Sequence, residues 1–327
     1  MPLPAALPPM PTLSVVVPAY NEEAVLEPFH RRLGATLDAI GEPAEIVYVD
    51  DGSRDRTAAI LEALRREDPR VAIVGLSRNF GKEVALTAGL HHTRGQAVVV
   101  IDADLQDPPE LIPALMIPWR ERGADVVYAQ RVARAGETWL KRATAHLFYL
   151  LMQHVGRVQL PRDTGDFRLL SRRAVDALGQ YPEHHRFMKG LFAWIGFEQV
   201  SVPYHRDPRL AGQTKWNFFK LFNLAIEGIT SFTATPLRFA SVLGLLIAFL
   251  AFLVGVVIIY KTLRYGDPVQ GYPSLMITVL FLGGVQLTAI GILGEYLGRV
   301  FHETKQRPLY HVKSFRPPQG TAHAPGE

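Results

Sequence analysis

Two stretches of this chain are almost free of charge over the length needed to cross a bilayer. Between residues 237 and 260 the only charged residue is Arg238, and between 274 and 297 it is Glu295. A helix of about 20 apolar residues spans a hydrocarbon core of ~30 Å, and each stretch is long enough. The run GLLIAFLAFLVGVVIIY within the first has no polar stripe. That argues against the alternative, a pair of helices buried in a soluble core. Joined by the short polar segment KTLRYGDPVQGYP, the two stretches read as a transmembrane hairpin. The sequence after them carries Arg299, Lys305, Arg307, Lys313 and Arg316, and the sequence around their start carries Lys215, Lys220 and Arg238. The connection has only Lys261 and Arg264. Lysine and arginine are retained on the cytoplasmic side, so both termini are expected in the cytoplasm and the connection outside.

The remainder is of a different kind. Between residues 12 and 130, short apolar or β-branched runs (TLSVVVP, EIVYVD, VAIVGLS, QAVVVID, ADVVYAQ) alternate with helical patterns (EAVLEPFHRRLGATLDAI, DRTAAILEALRRE, KEVALTAGLHHT, PELIPALMIPWRER). Such alternation predicts an α/β fold with a mostly parallel sheet and helices on both faces. Ligands of these sheets gather at the carboxyl ends of strands. Polar clusters fall at four such ends: PAYNEE, DDGSRDRT, SRNFGKE and DADLQD. In the last of them, continued extension would point Asp102, Asp104 and Gln106 the same way. Oxygens gathered that closely repel one another unless a cation or hydrogen-bond donors share them, and oxygen ligands suit Mg2+ or Mn2+. A solvated turn is the bland alternative, and the company of three other polar strand ends argues against it. A calcium loop starting at Asp102 is excluded, because its sixth and twelfth positions would be Asp107 and Pro113 instead of glycine and glutamate.

Composition removes other classes. There are no cysteines, which excludes disulfides, thiolate zinc sites and a cysteine nucleophile. A net charge of +4 does not by itself indicate nucleic acid, and none is expected as a partner. The Pro-rich start, MPLPAALPPMP, lacks the basic and apolar regions of a secretory signal and reads as a loose tail. P-loop, dinucleotide and H-E-x-x-H motifs are absent. The pairs His91–His92 and His184–His185 are spaced poorly for metal binding from one helix face and read as structural. Segments 137–157 and 216–232 are amphipathic. The second precedes the first apolar stretch and is expected in the membrane interface; for the first, interface and core packing remain open.

VVVPAYNEE, VDDGSRDRT, NFGKEVALTAGL, DADLQDPPELIP, TGDFRLLSRRAV and RLAGQTKW, followed by two apolar stretches, resemble membrane-bound family-2 glycosyltransferases of the polyprenyl-phosphate group. The resemblance covers residues 11 to about 305. It implies a GT-A nucleotide-sugar-binding domain and inverting transfer of a sugar from a nucleoside diphosphate to a polyprenyl phosphate. UDP-glucose and undecaprenyl phosphate are the favoured pair, with GDP-mannose or another UDP-sugar as alternative donors. A non-catalytic nucleotide-sugar-binding scaffold is the rival class, against which the intact Asp102, Asp104 and Gln106 set speaks. The resemblance implies that Pro18, Ala19, Tyr20, Glu22, Asp50, Asp51, Asp102 and Arg131 bind the nucleotide sugar. Asp102, Asp104 and Gln106 would hold Mg2+ or Mn2+.

A lipid phosphate is already ionised, so cations that hold two anionic partners together matter more than a general base. Arg206, Arg209 and Lys215 around the AGQT segment are the first candidates, ahead of Arg131 and Arg168; solvated loop charges are the alternative reading. Asp166 occupies the place of an acid near the acceptor, as a base or as an orienter of Arg168. The expected organisation is a tail (1–11), a catalytic domain (12–215), an interfacial helix (216–235), two spans (236–298) and a cytoplasmic tail (299–327) at the inner (plasma) membrane. The resemblance also implies a homo-oligomer such as a tetramer. Gly244, Gly255, Gly283, Gly284, Gly291 and Gly294 would allow close helix contact.

Overall fold

The structure, a computed structural model, describes residues 10–132, 164–181, 183, 186, 188–204, 235–265 and 271–319. The amphipathic segments 137–157 and 216–232, His184–His185, and Arg206, Arg209 and Lys215 lie outside the described residues. The chain divides into two compact units, one holding the described residues up to 204 and from 307 onward, the other those between.

The first unit is built on an eight-stranded sheet. Its elements run β1 (Leu13–Ala19), α1 (Leu26–Ile40), β2 (Ala44–Asp50), α2 (Thr57–Glu67), β3 (Val71–Leu76), α3 (Lys82–His91), β4 (Ala97–Val100), α4 (Ile112–Arg122), β5 (Val126–Arg131), β6 (Thr164–Ser171), α5 (Arg172–Gly179), α6 (Met188–Trp194), β7 (Gln199–Tyr204) and β8 (Val312–Arg316). The strand order is β7-β5-β6-β4-β1-β2-β3-β8. All five strands expected from apolar runs are present, and β4, β1, β2 and β3 pair in parallel. The sheet is therefore mostly parallel, as expected. β6 intrudes between β4 and β5, antiparallel to both, while β7 runs parallel to β5.

Burial explains this centre. Every residue of β3 and β4 is buried, as near-continuous apolar runs in a sheet covered on both faces should be. On α1, Phe29, Leu33 and Leu37 recur every fourth residue and form its buried face. Gly41 ends that helix with a left-handed φ of 70°, its N–H reaching the Leu37 carbonyl.

Residues 312–316 fall in the segment read from sequence as a C-terminal tail. They form β8, antiparallel to β3, with Gly75 opposite Ser314. A Cβ at Gly75 would stand 2.7 Å from Ser314 Oγ, so the close approach suits glycine. Arg65 Nη2 donates to the Pro317 carbonyl at 2.8 Å, and His91 Nδ1 lies 2.9 Å from the Tyr310 hydroxyl. The His92 ring packs on Phe315, with centroids 4.9 Å apart. His91 and His92 thus serve packing, as read from sequence.

The second unit contains two long helices, α7 (Thr235–Tyr265) and α8 (Tyr272–Thr304). They contain the two apolar stretches and pack on each other. Residues 281–298 of α8 are long and apolar enough to cross a membrane, whereas the apolar core of α7 spans the shorter run 242–254. Among the described residues one helix, not two, meets that test, so the hairpin remains a reading of the sequence. Leu245, Leu263 and Leu287 are each more than 70% exposed, a surface that water does not favour.

Ending the chain at Gln306 should uncover the β3 edge. The expected loss is about 2 kcal/mol, seen as a fall in Tm of about 5 °C by scanning fluorimetry. An unchanged Tm would show that β8 adds nothing to the fold.

Candidate active site

The strand order reverses at β1, which has β2 on one side and β4 on the other. At such a point the chain leaves neighbouring strands toward opposite faces, and a crevice opens outside their carboxyl ends. Here the crevice is a cleft of about 520 Å3, lined on the β1 side by Pro18, Ala19, Tyr20 and Glu22 and on the β4 side by Asp102, Ala103 and Asp104. Asp51, Asn79, Gly81, Lys82 and Ala85 complete the described lining.

Short-range hydrogen bonds hold the walls. The loops after β1 and β2 are joined: the Asn21 and Glu22 N–H groups donate to Ser53 Oγ (3.1 Å) and Thr57 Oγ1 (2.9 Å), and the Arg54 N–H donates to Asn21 Oδ1 (2.9 Å). Asn21 takes a positive φ of 55°, which asparagine tolerates. Asp50 Oδ1 accepts from the Ser53 N–H at 2.9 Å, so this carboxylate shapes its own loop. Asp51 reaches the loop before α3, accepting from the N–H groups of Phe80 (2.7 Å) and Gly81 (2.9 Å). Burial raises its pKa above the usual carboxylate range, even though both donors pull the other way. At Gly52, φ is 68° and a Cβ would meet the Arg78 carbonyl carbon at 2.5 Å. A side chain there would push the second and third loops apart.

The DADLQD segment is a turn. Strand β4 ends at Val100, and Leu105 has a φ of 60°, so the extended alternation stops before Gln106. Asp102 and Asp104 face the cleft, whereas Gln106 is buried and donates its backbone N–H to Asp104 Oδ1 at 3.1 Å. The expected face shared by three side chains is corrected to two for this reason. Asp107, also buried, accepts from the Tyr204 hydroxyl at 2.5 Å and ties the turn to β7.

A residue to which the sequence reading gave no role stands between two that it did. Lys82 Nζ donates to Asp102 Oδ2 at 2.7 Å and to Asp166 Oδ2 at 2.5 Å. Antiparallel pairing of β4 with β6 puts Val100 opposite Arg168, which directs the residues two further on, 102 and 166, toward each other. Burial would raise the Asp166 carboxyl, but Lys82 and Lys189 hold it well below the usual range. For Asp102 burial outweighs Lys82, and its pKa is raised. Burial and then the Asp166 charge push Glu83 up to about 7. A lysine at the first turn after a cleft-lining glycine was a legible signal, and the motif NFGKE contains it.

The Asp166 carboxylate and Arg168 attract each other by charge, and the hydrogen bonds described for Arg168 go to backbone carbonyls. Arg168 Nη2 donates to the Gly165 carbonyl at 2.8 Å, Nε to that of Asp166 at 3.4 Å, and the guanidinium stacks 3.8 Å from the Phe192 ring centroid. Burial lowers its pKa to about 10. Arg131 Nε donates to the Tyr204 hydroxyl at 3.3 Å and is not among the described cleft-lining residues.

The acids of this turn suit a divalent cation. Two carboxylates on one turn open to the cleft, the usual protein share of a Mg2+ or Mn2+ site whose other ligands are phosphate oxygens and water. Among the described residues no three His, Cys, Asp or Glu are gathered into a complete cage. Asp102 and Asp104 therefore fit a cation that arrives with an anionic substrate.

Comparison with known proteins is consistent along the chain. The family model described as Glycosyl transferase family 2 matches residues 14–179. An uncharacterized glycosyltransferase of Synechocystis sp. is 51% identical over 300 residues, covering 92% of this chain and 94% of that protein. A bactoprenol glucosyl transferase of Shigella phage SfX is 47% identical over 302 residues, covering 92% and 99%. A prophage bactoprenol glucosyl transferase homolog of Escherichia coli is 46% identical over 301 residues, covering 92% and 98%.

The Asp51 clamp gives a direct test of the cleft wall. Asp51→Asn would turn an amide NH2 toward one of the two backbone N–H donors and leave it unpaired. The expected cost is about 1–3 kcal/mol in urea unfolding. Wild-type stability would mean that the loop does not depend on the carboxylate.

Proposed function

Because this chain belongs to glycosyl transferase family 2, we propose that it transfers glucose from UDP-glucose to a polyprenyl phosphate, favoured as undecaprenyl phosphate, with inversion at the anomeric carbon. The observation that carries the reading is the cleft at the β1/β4 reversal, with Asp102 and Asp104 in one wall, in a chain that also contains an apolar helix of bilayer length. Glucose and the lipid acceptor are supported by relatives named for bactoprenol glucosyl transfer.

Each wall has a part in this reading. Pro18, Ala19, Tyr20 and Glu22 receive the nucleotide, and the exposed ring of Tyr20 offers a stacking face to the base. Asp51, held by two backbone donors, keeps the loop before α3 against the cleft. Asp50 supports the same wall from its loop. Asp102 and Asp104 hold Mg2+ or Mn2+, with Gln106 fixing Asp104 through its backbone N–H. The bound cation would neutralise charge on the nucleoside diphosphate as it leaves. The acceptor phosphate attacks from the opposite face. Being ionised already, it does not require Asp166 as a base, and a carboxylate held below its usual range is a weak one. Asp166 instead anchors Lys82. Arg206, Arg209 and Lys215 are proposed to bring the two anionic substrates together, and Arg131 to support the β5 end of the site.

Chain topology supports one face for the whole reaction. The chain leaves the sheet after β7 and re-enters it as β8, so both flanks of the α7–α8 segment belong to one unit. A segment that begins and ends in one folded unit crosses a bilayer an even number of times or not at all. With the positive flanks of the sequence, this supports a catalytic domain at the cytoplasmic face of the inner membrane. A homo-oligomer, such as a tetramer, is proposed on the same family grounds.

Membranes containing the protein should move radiolabel from UDP-glucose to undecaprenyl phosphate, and should not do so from GDP-mannose. Asp104→Asn should lower turnover at least about 100-fold without unfolding the chain, and excess EDTA should abolish it. Transfer from GDP-mannose alone would overturn the donor. Full activity in EDTA would overturn the metal, and near-normal turnover by Asp104→Asn would remove that ligand.

A further inference from the structure

Lys82 is the first residue of α3 and lies in the cleft wall, but half of its contact is with a residue outside that wall. Its ammonium joins Asp102, from the β4 end, to Asp166, from β6. The exposures are graded: the Lys82 side chain is 43% exposed, that of Asp102 25% and that of Asp166 12%. The lysine therefore approaches the pair from the cleft, along the side from which a cation would come. Asp166 Oδ1 is buried with no hydrogen-bond partner among the described residues, so the described side-chain contact of that carboxylate is Lys82. Lys189 and Arg168 add positive charge around Asp166, and Glu83 adds an acid beside Lys82.

We propose that Lys82 is a built-in counter-cation that makes metal binding at Asp102 and Asp104 conditional on the nucleoside diphosphate. Without nucleotide, the ammonium satisfies Asp102 and repels a second cation. With nucleotide, the diphosphate supplies negative charge enough for both cations. Lys82 then turns from Asp102 toward the diphosphate, and Asp166 keeps hold of it. The acid on β6 is thereby a positioning residue acting through Lys82. This inference rests on the reading that the cleft takes a nucleoside diphosphate with a divalent cation.

The test is Mn2+ binding to the full-length protein in detergent, followed by electron paramagnetic resonance with and without UDP, with no sugar or lipid present. Lys82→Met removes the charge and keeps most of the chain length. It should bind Mn2+ alone about 10-fold more tightly than wild type, and the gain in Mn2+ affinity on adding UDP should shrink by about 10-fold. Lys82→Arg keeps the charge and should stay close to wild type in both measurements. A Lys82→Met protein that binds Mn2+ no more tightly than wild type, or that keeps the full UDP effect, overturns the inference, as does identical behaviour of the Met and Arg variants. If Lys82→Met is unstable, Mn2+ should raise its Tm by about 3 °C more than it raises that of wild type, because the metal takes over the missing charge; an equal rise overturns the inference. Because no sugar is transferred, the outcome is separate from that of the activity assay. Tighter Mn2+ binding by Lys82→Met in a protein that makes no lipid-linked glucose would leave Lys82 its role and remove the proposed reaction. Absence of Mn2+ binding by both proteins, with and without UDP, would remove the role of Lys82 and leave sugar transfer to its own test.

Discussion

Carboxylates crowd the carboxyl edge of this sheet, and their mutual repulsion is the constraint that organises it. Buried or half-buried acids that close together persist only if each is given a donor or a cation. The protein supplies one to each, and one pair shares. Asp50 takes the N–H of Ser53, Asp51 the N–H groups of Phe80 and Gly81, Asp107 the hydroxyl of Tyr204, and Asp102 with Asp166 the ammonium of Lys82. Except for Ser53, which lies in the same loop as Asp50, these donors come from other loops and strands. Satisfying the acids is therefore the same act as drawing the loops after β2, β3 and β4 around one cleft. The site is ordered by the electrostatic problem that its chemistry creates.

The sheet beneath makes that crowding possible. Its parallel centre sends successive connections to both faces and concentrates strand ends at one edge. The antiparallel insertion of β6 then brings an acid and a buried arginine from a remote part of the chain to the end of β4. At the other margin β8 covers β3, so the strand that leads into the α3 loop does not present an open edge there. This ties residues more than 200 positions apart and returns the chain, after its apolar helices, to the unit that holds the cleft.

The parallel core was legible because its strands are buried on both faces and read as continuous apolar runs. The polar ends of β1, β2 and β4 were legible too: Pro18, Ala19, Tyr20, Glu22, Asp51, Asp102 and Asp104 all line one cleft. β6, β7 and β8 were not read as strands. In β8 the sequence VKSFR has Val312 and Phe315 as its only apolar residues, and its pairing with β3 is a long-range contact that no local pattern records. Gln106 was read as facing Asp102 and Asp104 because the alternation of an extended chain was carried past Val100. A left-handed Leu105, whose side chain is buried, bends the chain where the residue type gave no warning.

From the sequence alone came the kind of protein this is: periodicity specifies the parallel α/β core, uncharged runs specify long apolar helices, and acids at strand ends specify a polar cleft. These are properties of neighbouring residues, and local spacing is enough to express them. Tertiary structure decided which acids share a cation and what each carboxylate faces. Lys82 lies 20 positions from Asp102 and 84 from Asp166. It meets both because β6 enters the sheet antiparallel beside β4, and strand register, set by packing across the whole sheet, is a property that no segment holds by itself.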